Sequence, residues 1–218
     1  MIQPAKLKIL VTDDHTLFRK GTTMLLKSFD FIGEVEEAEN GREALNKLKA
    51  GGFDLVLLDL EMPVLDGWEA SKKIVNRFPD IKIIMVSMHD SLPIISDLIE
   101  IGVHSYLLKN ADPNEVRKAI LSVINNDFYY NQLVSNALKR KPQQSDDKKK
   151  TKNADISPRE VEVLQLICQE LTMREISEKL FLSEQTIHTH RKNLMKKTKA
   201  KNAVGLVKFA FQNGIARI

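Results

Sequence analysis

Short apolar runs alternate with stretches of helical period along the first 125 residues of the chain. The apolar runs predict five strands, over residues 7–12, 35–38, 55–58, 81–86 and 105–108. The intervening stretches predict helices over residues 16–28, 41–50, 66–78, 93–101 and 114–125. Strands that are apolar along their length and are joined by helices are typical of a parallel sheet covered on both faces. The pattern therefore predicts a doubly wound α/β domain with a five-stranded parallel sheet.

After residue 155 the pattern becomes entirely helical. Ser157, followed by a proline, is a typical N-cap for a first helix, and Thr172 with Glu175 forms a capping box for a short second helix. Ser183 is the expected N-cap of a third helix that ends near residue 198. The second and third of these helices are joined by a tight turn, which predicts a helix-turn-helix. In this motif the later of the two helices, here the third, enters the DNA major groove.

Charge separates the same two parts of the chain. The 218 residues suit one large or two small domains, and the net charge of +4 divides into −5 for residues 1–130 and +9 for residues 131–218. A basic half favours a polyanionic partner, although charge alone is equally compatible with a merely solvated surface. Residues 139–153 contain no apolar side chain and predict a flexible tether. We therefore expect domains at 5–127 and 155–218 with a linker at 128–154.

Several classes of protein are excluded by what the sequence does not contain. No apolar run approaches the roughly 18 residues of a membrane span, and the first residues show no secretory signal. Cys168 is the single cysteine, so an internal disulfide cannot form, and we expect a buried core thiol. These observations predict a cytoplasmic protein without a membrane partner.

Polar side chains stand at the carboxyl ends of four of the predicted strands. Asp13 and Asp14 follow the first strand, while Asp59, Ser87 and Lys109 follow the third, fourth and fifth. Ligands of doubly wound sheets bind at this edge, so we expect the five side chains to converge. Adjacent carboxylates repel unless a cation lies between them, and oxygen ligands favour Mg²⁺. With Ser87 and Lys109 available to bind phosphoryl oxygens, the set predicts phosphoryl transfer onto a carboxylate.

These motifs, together with the Asp66-Gly67 turn and the Tyr106-Leu-Leu-Lys109 segment, resemble the flavodoxin-like receiver domain of bacterial two-component response regulators. The resemblance implies that Asp59 is the phosphoacceptor for a histidine kinase or a small phosphodonor. It also implies that Mg²⁺ is bound by Asp14, Asp59 and the backbone carbonyl of Glu61, with Asp13 acting through water. Ser87 and Tyr106 would form the pair that switches conformation, and Lys109 would bind the phosphate.

The third helix of the C-terminal part carries a polar arc suited to DNA. At 100° per residue, the side opposite Ile187 holds base-contacting and phosphate-contacting residue types. The predicted DNA-binding residues are Gln185, Thr186, His188, Thr189, Arg191, Lys192, Asn193 and Lys196, with Arg191 near the inward side.

The same region is similar to the LuxR-type helix-turn-helix, in the segments that begin at Ser157, Arg174 and Ser183. Together with the receiver, this resemblance indicates a response regulator of the NarL/FixJ group. It implies that the last helix, over residues 202–213, forms a homodimer on double-stranded DNA through Val204, Val207 and Phe211. A stripe at this spacing is also compatible with plain core packing.

The sequence as a whole predicts a transcription regulator in which phosphorylation of Asp59 changes dimerisation or domain docking and thereby DNA binding. Two alternatives stay open. An aspartyl-phosphate phosphatase would need a second acid/base carboxylate, for which Glu61 is the candidate. A phosphorylation-independent DNA-binding protein would use the receiver as a dimerisation module.

Overall fold

The computed structural model describes residues 6–139 and 156–216. A parallel sheet in the order β2-β1-β3-β4-β5 is followed by a group of helices. The strands are β1 (Leu7–Thr12), β2 (Ile32–Ala38), β3 (Leu55–Asp59), β4 (Lys82–Ser87) and β5 (Ser105–Leu108). The helices alternating with the strands are α1 (Thr16–Lys27), α2 (Gly41–Ala50), α3 (Gly67–Arg77), α4 (Leu92–Ile101) and α5 (Pro113–Asn126). The remaining helices are α6 (Gln132–Lys139), α7 (Pro158–Cys168), α8 (Met173–Leu180), α9 (Glu184–Thr198) and α10 (Ala203–Gln212).

The central strands of the sheet are apolar because both of their faces are covered. Every residue of β3 is buried, and β3 pairs in parallel with β1 on one side and β4 on the other. One apolar cluster fills the face beneath α5, and a second extends from the other face into the C-terminal helices. The predicted fold class is confirmed. Since all five strands run the same way, their carboxyl ends lie at one edge of the sheet.

Strand β2 starts earlier than the apolar pattern predicts. It begins at Ile32 rather than at residue 35. The sequence pattern missed its first residues because Glu34 and its neighbours interrupt the apolar run. The strand lies at the edge of the sheet, where a side chain can be polar without being buried. Lys8 on β1 binds the carboxylates of Glu34 and Glu36 at 3.2 and 2.8 Å.

Part of the predicted linker is a packed helix. Helix α6 begins after Asn131, whose side chain accepts a hydrogen bond from the Val134 N–H at 3.0 Å. Val134, Ala137 and Leu138 are buried against α4 and α10. This corrects the linker of residues 128–154 at its start, because an apolar stripe of helical spacing requires a surface to cover it. Of the predicted tether, residues 140–153 lie outside the described ranges.

The C-terminal helices form the predicted helix-turn-helix. The capping boxes at Ser157 and Thr172 are both present, and the Ser183 hydroxyl accepts from the Thr186 N–H. Cys168 is buried, and this burial raises the pKa of its thiol to about 12, as expected for a core residue. Within the described ranges, no helix has the length and apolar character needed to cross a bilayer.

Candidate functional site

Three of the predicted site residues form a buried ionic cluster at the carboxyl edge of the sheet. Asp13 follows β1, Asp59 ends β3 and Lys109 follows β5. The Lys109 Nζ lies 2.7 Å from Asp13 Oδ2 and 2.8 Å from Asp59 Oδ2. One ammonium therefore bridges two carboxylates, and it also lies 4.9 Å from the centre of the Phe18 ring. The cluster brings together what the sequence places almost 100 residues apart.

The electrostatics of the cluster follow from its burial. Loss of hydration raises the pKa of Asp59; the Lys109 hydrogen bond opposes this rise, and the Asp13 charge adds to it. Burial by itself lowers the pKa of Lys109, but the hydrogen bonds that Lys109 donates to Asp13 and Asp59 outweigh that effect and leave this pKa raised. Two carboxylates with one cation carry an excess negative charge, which a second cation would compensate.

Ligand atoms suited to such a cation are present. Atoms of Asp13, Asp14, His15 and Asp59 all lie within 4.8 Å of one another. Asp14 Oδ1 is buried and accepts no hydrogen bond, although His15 Nδ1 is only 2.9 Å away. A set of carboxylate oxygens with one unused buried acceptor fits the predicted Mg²⁺. Glu61 lines the open cleft beside Asp14, where its backbone carbonyl would complete the ligands. The sequence analysis did not include His15, since a histidine after an acidic pair has no periodicity to identify it.

The predicted switch pair meets at the loop between β4 and α4. Ser87 is buried, and its hydroxyl accepts from the His89 N–H at 3.2 Å. Tyr106 is buried, and its hydroxyl donates to the His89 carbonyl at 2.6 Å. His89 Nε2 lies 3.0 Å from the exposed Glu61 carboxylate. His89 thus connects the serine, the tyrosine and the segment after Asp59.

The polar arc of α9 faces outward. Six of the eight predicted DNA-binding residues are exposed, namely Gln185, His188, Thr189, Lys192, Asn193 and Lys196. Thr186 is half-buried in the first turn of α9, where its hydroxyl lies 2.8 Å from that of the N-cap residue Ser183. Arg191 differs from the others, because its guanidinium binds the carboxylate of Asp127 at the end of α5.

Asp127 is the centre of an ionic group that sequence reasoning missed. Its carboxylate binds Lys82 of β4 as well as Arg191 of α9, and His104 Nε2 lies 3.6 Å away. The pKa of His104 is lowered to about 4, mainly by burial and also by the charges of Lys82 and Arg191, against the opposing effect of Asp127. An isolated aspartate after a helix gives no sequence signal of such a role.

The predicted dimerisation residues of α10 are not free in this arrangement. Val204 and Val207 are fully buried, and Phe211 is partly buried. The helix packs against α7 and α9 of its own domain and against α4 and α6.

A parallel sheet that carries an acidic triad and a lysine at its carboxyl edge, followed by a helix-turn-helix, is the combination expected of a receiver domain joined to a DNA-binding domain. Comparison with known proteins identifies both parts. The response regulator receiver domain matches residues 9–121, and the family of bacterial regulatory proteins of the luxR type matches residues 154–210. The chain belongs to the response regulators that join a receiver to a LuxR-type helix-turn-helix.

Several known proteins are similar to this chain over nearly all of their own length. The response regulator UvrY of Escherichia coli K12 is 32% identical over 96% of this chain and 95% of its own. The oxygen regulatory protein NreC of Staphylococcus carnosus is 32% identical over 94% of this chain and 97% of its own. The structure of the Salmonella typhimurium response regulator RcsB superimposes with a TM-score of 0.58 at 26% identity, over 94% of this chain and 98% of that one.

Proposed function

We propose that this chain is a DNA-binding transcription regulator that is switched by phosphorylation of Asp59 by a histidine kinase. The observation that supports this most directly is the buried Asp59 carboxylate, held by Lys109 beside Asp13. An oxygen of Asp59 attacks the phosphorus of the donor, and the bond from phosphorus to the leaving group breaks with its electron pair on that group. The family consists of transcription regulators rather than classical enzymes, which argues against the phosphatase alternative.

The neighbouring residues would assist both gain and loss of the phosphoryl group. Lys109 can leave one carboxylate to pair with a phosphoryl oxygen, and the Ser87 hydroxyl can donate to another. Mg²⁺ would be bound by Asp14, Asp59 and the Glu61 carbonyl, with Asp13 acting through water. The ion when bound would offset the negative charge that accumulates on the phosphoryl oxygens.

The proposed output is binding of a homodimer to double-stranded DNA in the cytoplasm. Six predicted contact residues are exposed on one side of α9, and the part of the chain that carries them is basic. One structure similar to this chain is described as an RcsB–DNA complex, with a TM-score of 0.58 at 25% identity. Val204, Val207 and Phe211 are the proposed dimer contacts.

Asp59→Asn is expected to abolish phosphorylation while leaving the fold intact. Intact mass spectrometry after incubation with acetyl phosphate and Mg²⁺ should show one added phosphoryl group on the wild-type chain and none on this variant. Asp80→Asn, which removes an exposed carboxylate elsewhere on the same domain, is the control and should accept the group normally. Omission of Mg²⁺ should suppress the adduct.

Binding to a duplex selected from random sequences then tests the output. The phosphodonor should tighten binding of the wild-type chain and of Asp80→Asn but not of Asp59→Asn. The phosphorylation-independent alternative would be supported instead if the wild-type chain gained no phosphoryl group, or if its DNA affinity were the same with and without the phosphoryl group.

A further inference from the structure

His15 lies in the acidic cluster at the edge of the sheet, yet the proposed function gives it no role. It is the N-cap residue of α1, but its side chain makes no capping hydrogen bond to any residue that the structure describes, and it is 70% exposed. Serine or aspartate at this position would stabilise the helix by accepting a hydrogen bond from its first turn. Neither capping nor packing therefore accounts for a histidine here.

The imidazole ring of His15 lies close to two carboxylates but forms no hydrogen bond with Asp14. Its Nδ1 is 2.9 Å from Asp14 Oδ1 and 3.4 Å from Asp13 Oδ1. Asp14 Oδ1 is buried and accepts no hydrogen bond within the described part of the chain, so the ring does not direct an N–H at this oxygen. A nitrogen and an oxygen that are this close, without a hydrogen bond between them, can direct their lone pairs at the same cation.

The separations of these atoms are similar to those of neighbouring ligands around one ion. With octahedral bonds of about 2.1 Å, adjacent ligand atoms are about 3 Å apart and opposite ones about 4 Å apart. The distances from His15 Nδ1 to the two carboxylate oxygens are close to the first value, and all four residues of the cluster offer atoms within 4.8 Å of one another. Because the ring is mostly exposed, it can adjust its position without displacing packed neighbours.

We propose that His15 supplies a nitrogen ligand to the metal site, which then selects a divalent first-row transition ion such as Mn²⁺ or Co²⁺ over Mg²⁺. This assignment rests on the proposed function, which places the metal beside Asp14 and Asp59. An imidazole nitrogen adds affinity for transition ions, whereas Mg²⁺ prefers oxygen ligands and keeps several of its waters. His15 thus determines which ion the site prefers, while the carboxylates provide the charge that any divalent ion needs.

Metal affinities of the unphosphorylated full chain test this role of His15. Trp68, the single tryptophan, lines one cleft with Asp14 and His15, so paramagnetic Co²⁺ bound there should quench its fluorescence. Titration with Co²⁺ gives the affinity for that ion, and its displacement by Mg²⁺ gives the affinity for Mg²⁺. His15→Gln should weaken Co²⁺ binding about ten-fold and leave Mg²⁺ binding within about two-fold of the wild-type value.

Pulsed electron paramagnetic resonance of bound Mn²⁺ detects the nitrogen ligand itself. A directly coordinated imidazole nitrogen modulates the electron spin echo of Mn²⁺, so the wild type should show this modulation and His15→Gln should not. His188→Gln, the same substitution at an exposed position of α9, is the matched control and should retain both the modulation and the Co²⁺ affinity. Asp14→Asn should weaken the binding of Co²⁺ and of Mg²⁺, because its carboxylate serves either ion.

Equal losses of Co²⁺ and Mg²⁺ affinity in His15→Gln would assign His15 to positioning Asp14 and would overturn its role as a ligand. Nitrogen modulation that is missing from the wild type, or that persists in His15→Gln, would overturn it as well. These measurements need no phosphodonor. A nitrogen signal without an Asp59 adduct would therefore count against the proposed function alone, and an Asp59 adduct without a nitrogen signal would count against the His15 ligand alone.

Discussion

Replacing Gly67 with alanine is expected to destabilise the receiver by about 3 kcal/mol or more. A Cβ at this position would lie 2.0 Å from the Asp59 carbonyl oxygen and 2.9 Å from both the Asp59 carbonyl carbon and Leu60 Cα. All three are backbone atoms, so no side-chain rotation can relieve the overlap. The Gly67 N–H also donates to the Leu60 carbonyl at 2.9 Å, which keeps the two segments close.

Urea unfolding followed by circular dichroism measures this loss, and mass spectrometry with acetyl phosphate should show slower phosphorylation, because any relief of the overlap displaces Asp59. Gly21→Ala is the matched control. Gly21 lies within α1, and a Cβ there would meet nothing within 4 Å. Since alanine favours helix over glycine, this control should stabilise the protein by about 1 kcal/mol. Equal stabilities for the two variants would contradict the predicted overlap.

Acidification from pH 7 to pH 5 is expected to cost the protein about 2 kcal/mol of unfolding free energy through His104 alone. The folded state holds the pKa of His104 at about 4, mainly by burial, against an ordinary value of 6.5. Between these values the unfolded chain binds a proton that the folded chain does not. The contribution of His104 is therefore complete above pH 6.5 and is lost as the pH falls toward 4.

The geometry explains why His104 stays neutral. Its Nδ1 accepts a hydrogen bond from the Ile83 N–H at 3.1 Å, so a proton cannot be added there without breaking that bond. Lys82 and Arg191, which bind the same Asp127 carboxylate, place two positive charges nearby. Burial by itself raises the pKa of Asp127, but the charges of Arg191 and Lys82 outweigh burial and leave that pKa lowered, so Asp127 also loses stabilising charge as the pH falls.

Urea titrations at pH 7 and pH 5 on the wild type and on His104→Gln give the measurement. The variant can be less stable at both pH values, so the quantity compared is the change between them. His104→Gln should lose about 2 kcal/mol less than the wild type over this interval. His188→Gln, the same substitution at an exposed position of α9, should retain the wild-type loss. An unchanged pH dependence in His104→Gln would show that another group is responsible.

The sequence by itself determined the doubly wound sheet, because burial on both faces forces the strands to be apolar. It also determined which side chains meet at the proposed phosphoacceptor site. Asp13, Asp59 and Lys109 each stand at the end of a parallel strand, and parallel strands bring their carboxyl ends to one edge whatever the helices between them contain. The helix-turn-helix was equally evident, since capping side chains such as Ser157 and Thr172 act within a few residues of the backbone they bind.

Only the tertiary structure decided how the two domains meet. The pairs Arg191–Asp127 and Lys208–Glu100 join residues that are 64 and 108 positions apart in the sequence. The periodicity of strands and helices does not predict either pair. The same holds for α6, whose short apolar stripe acquires a partner only when α4 and α10 are already in place. Local patterns report which side of an element is buried. They do not report what buries it, and in this protein the apolar side of α10 is covered by α4 and α6 as well as by helices of its own domain.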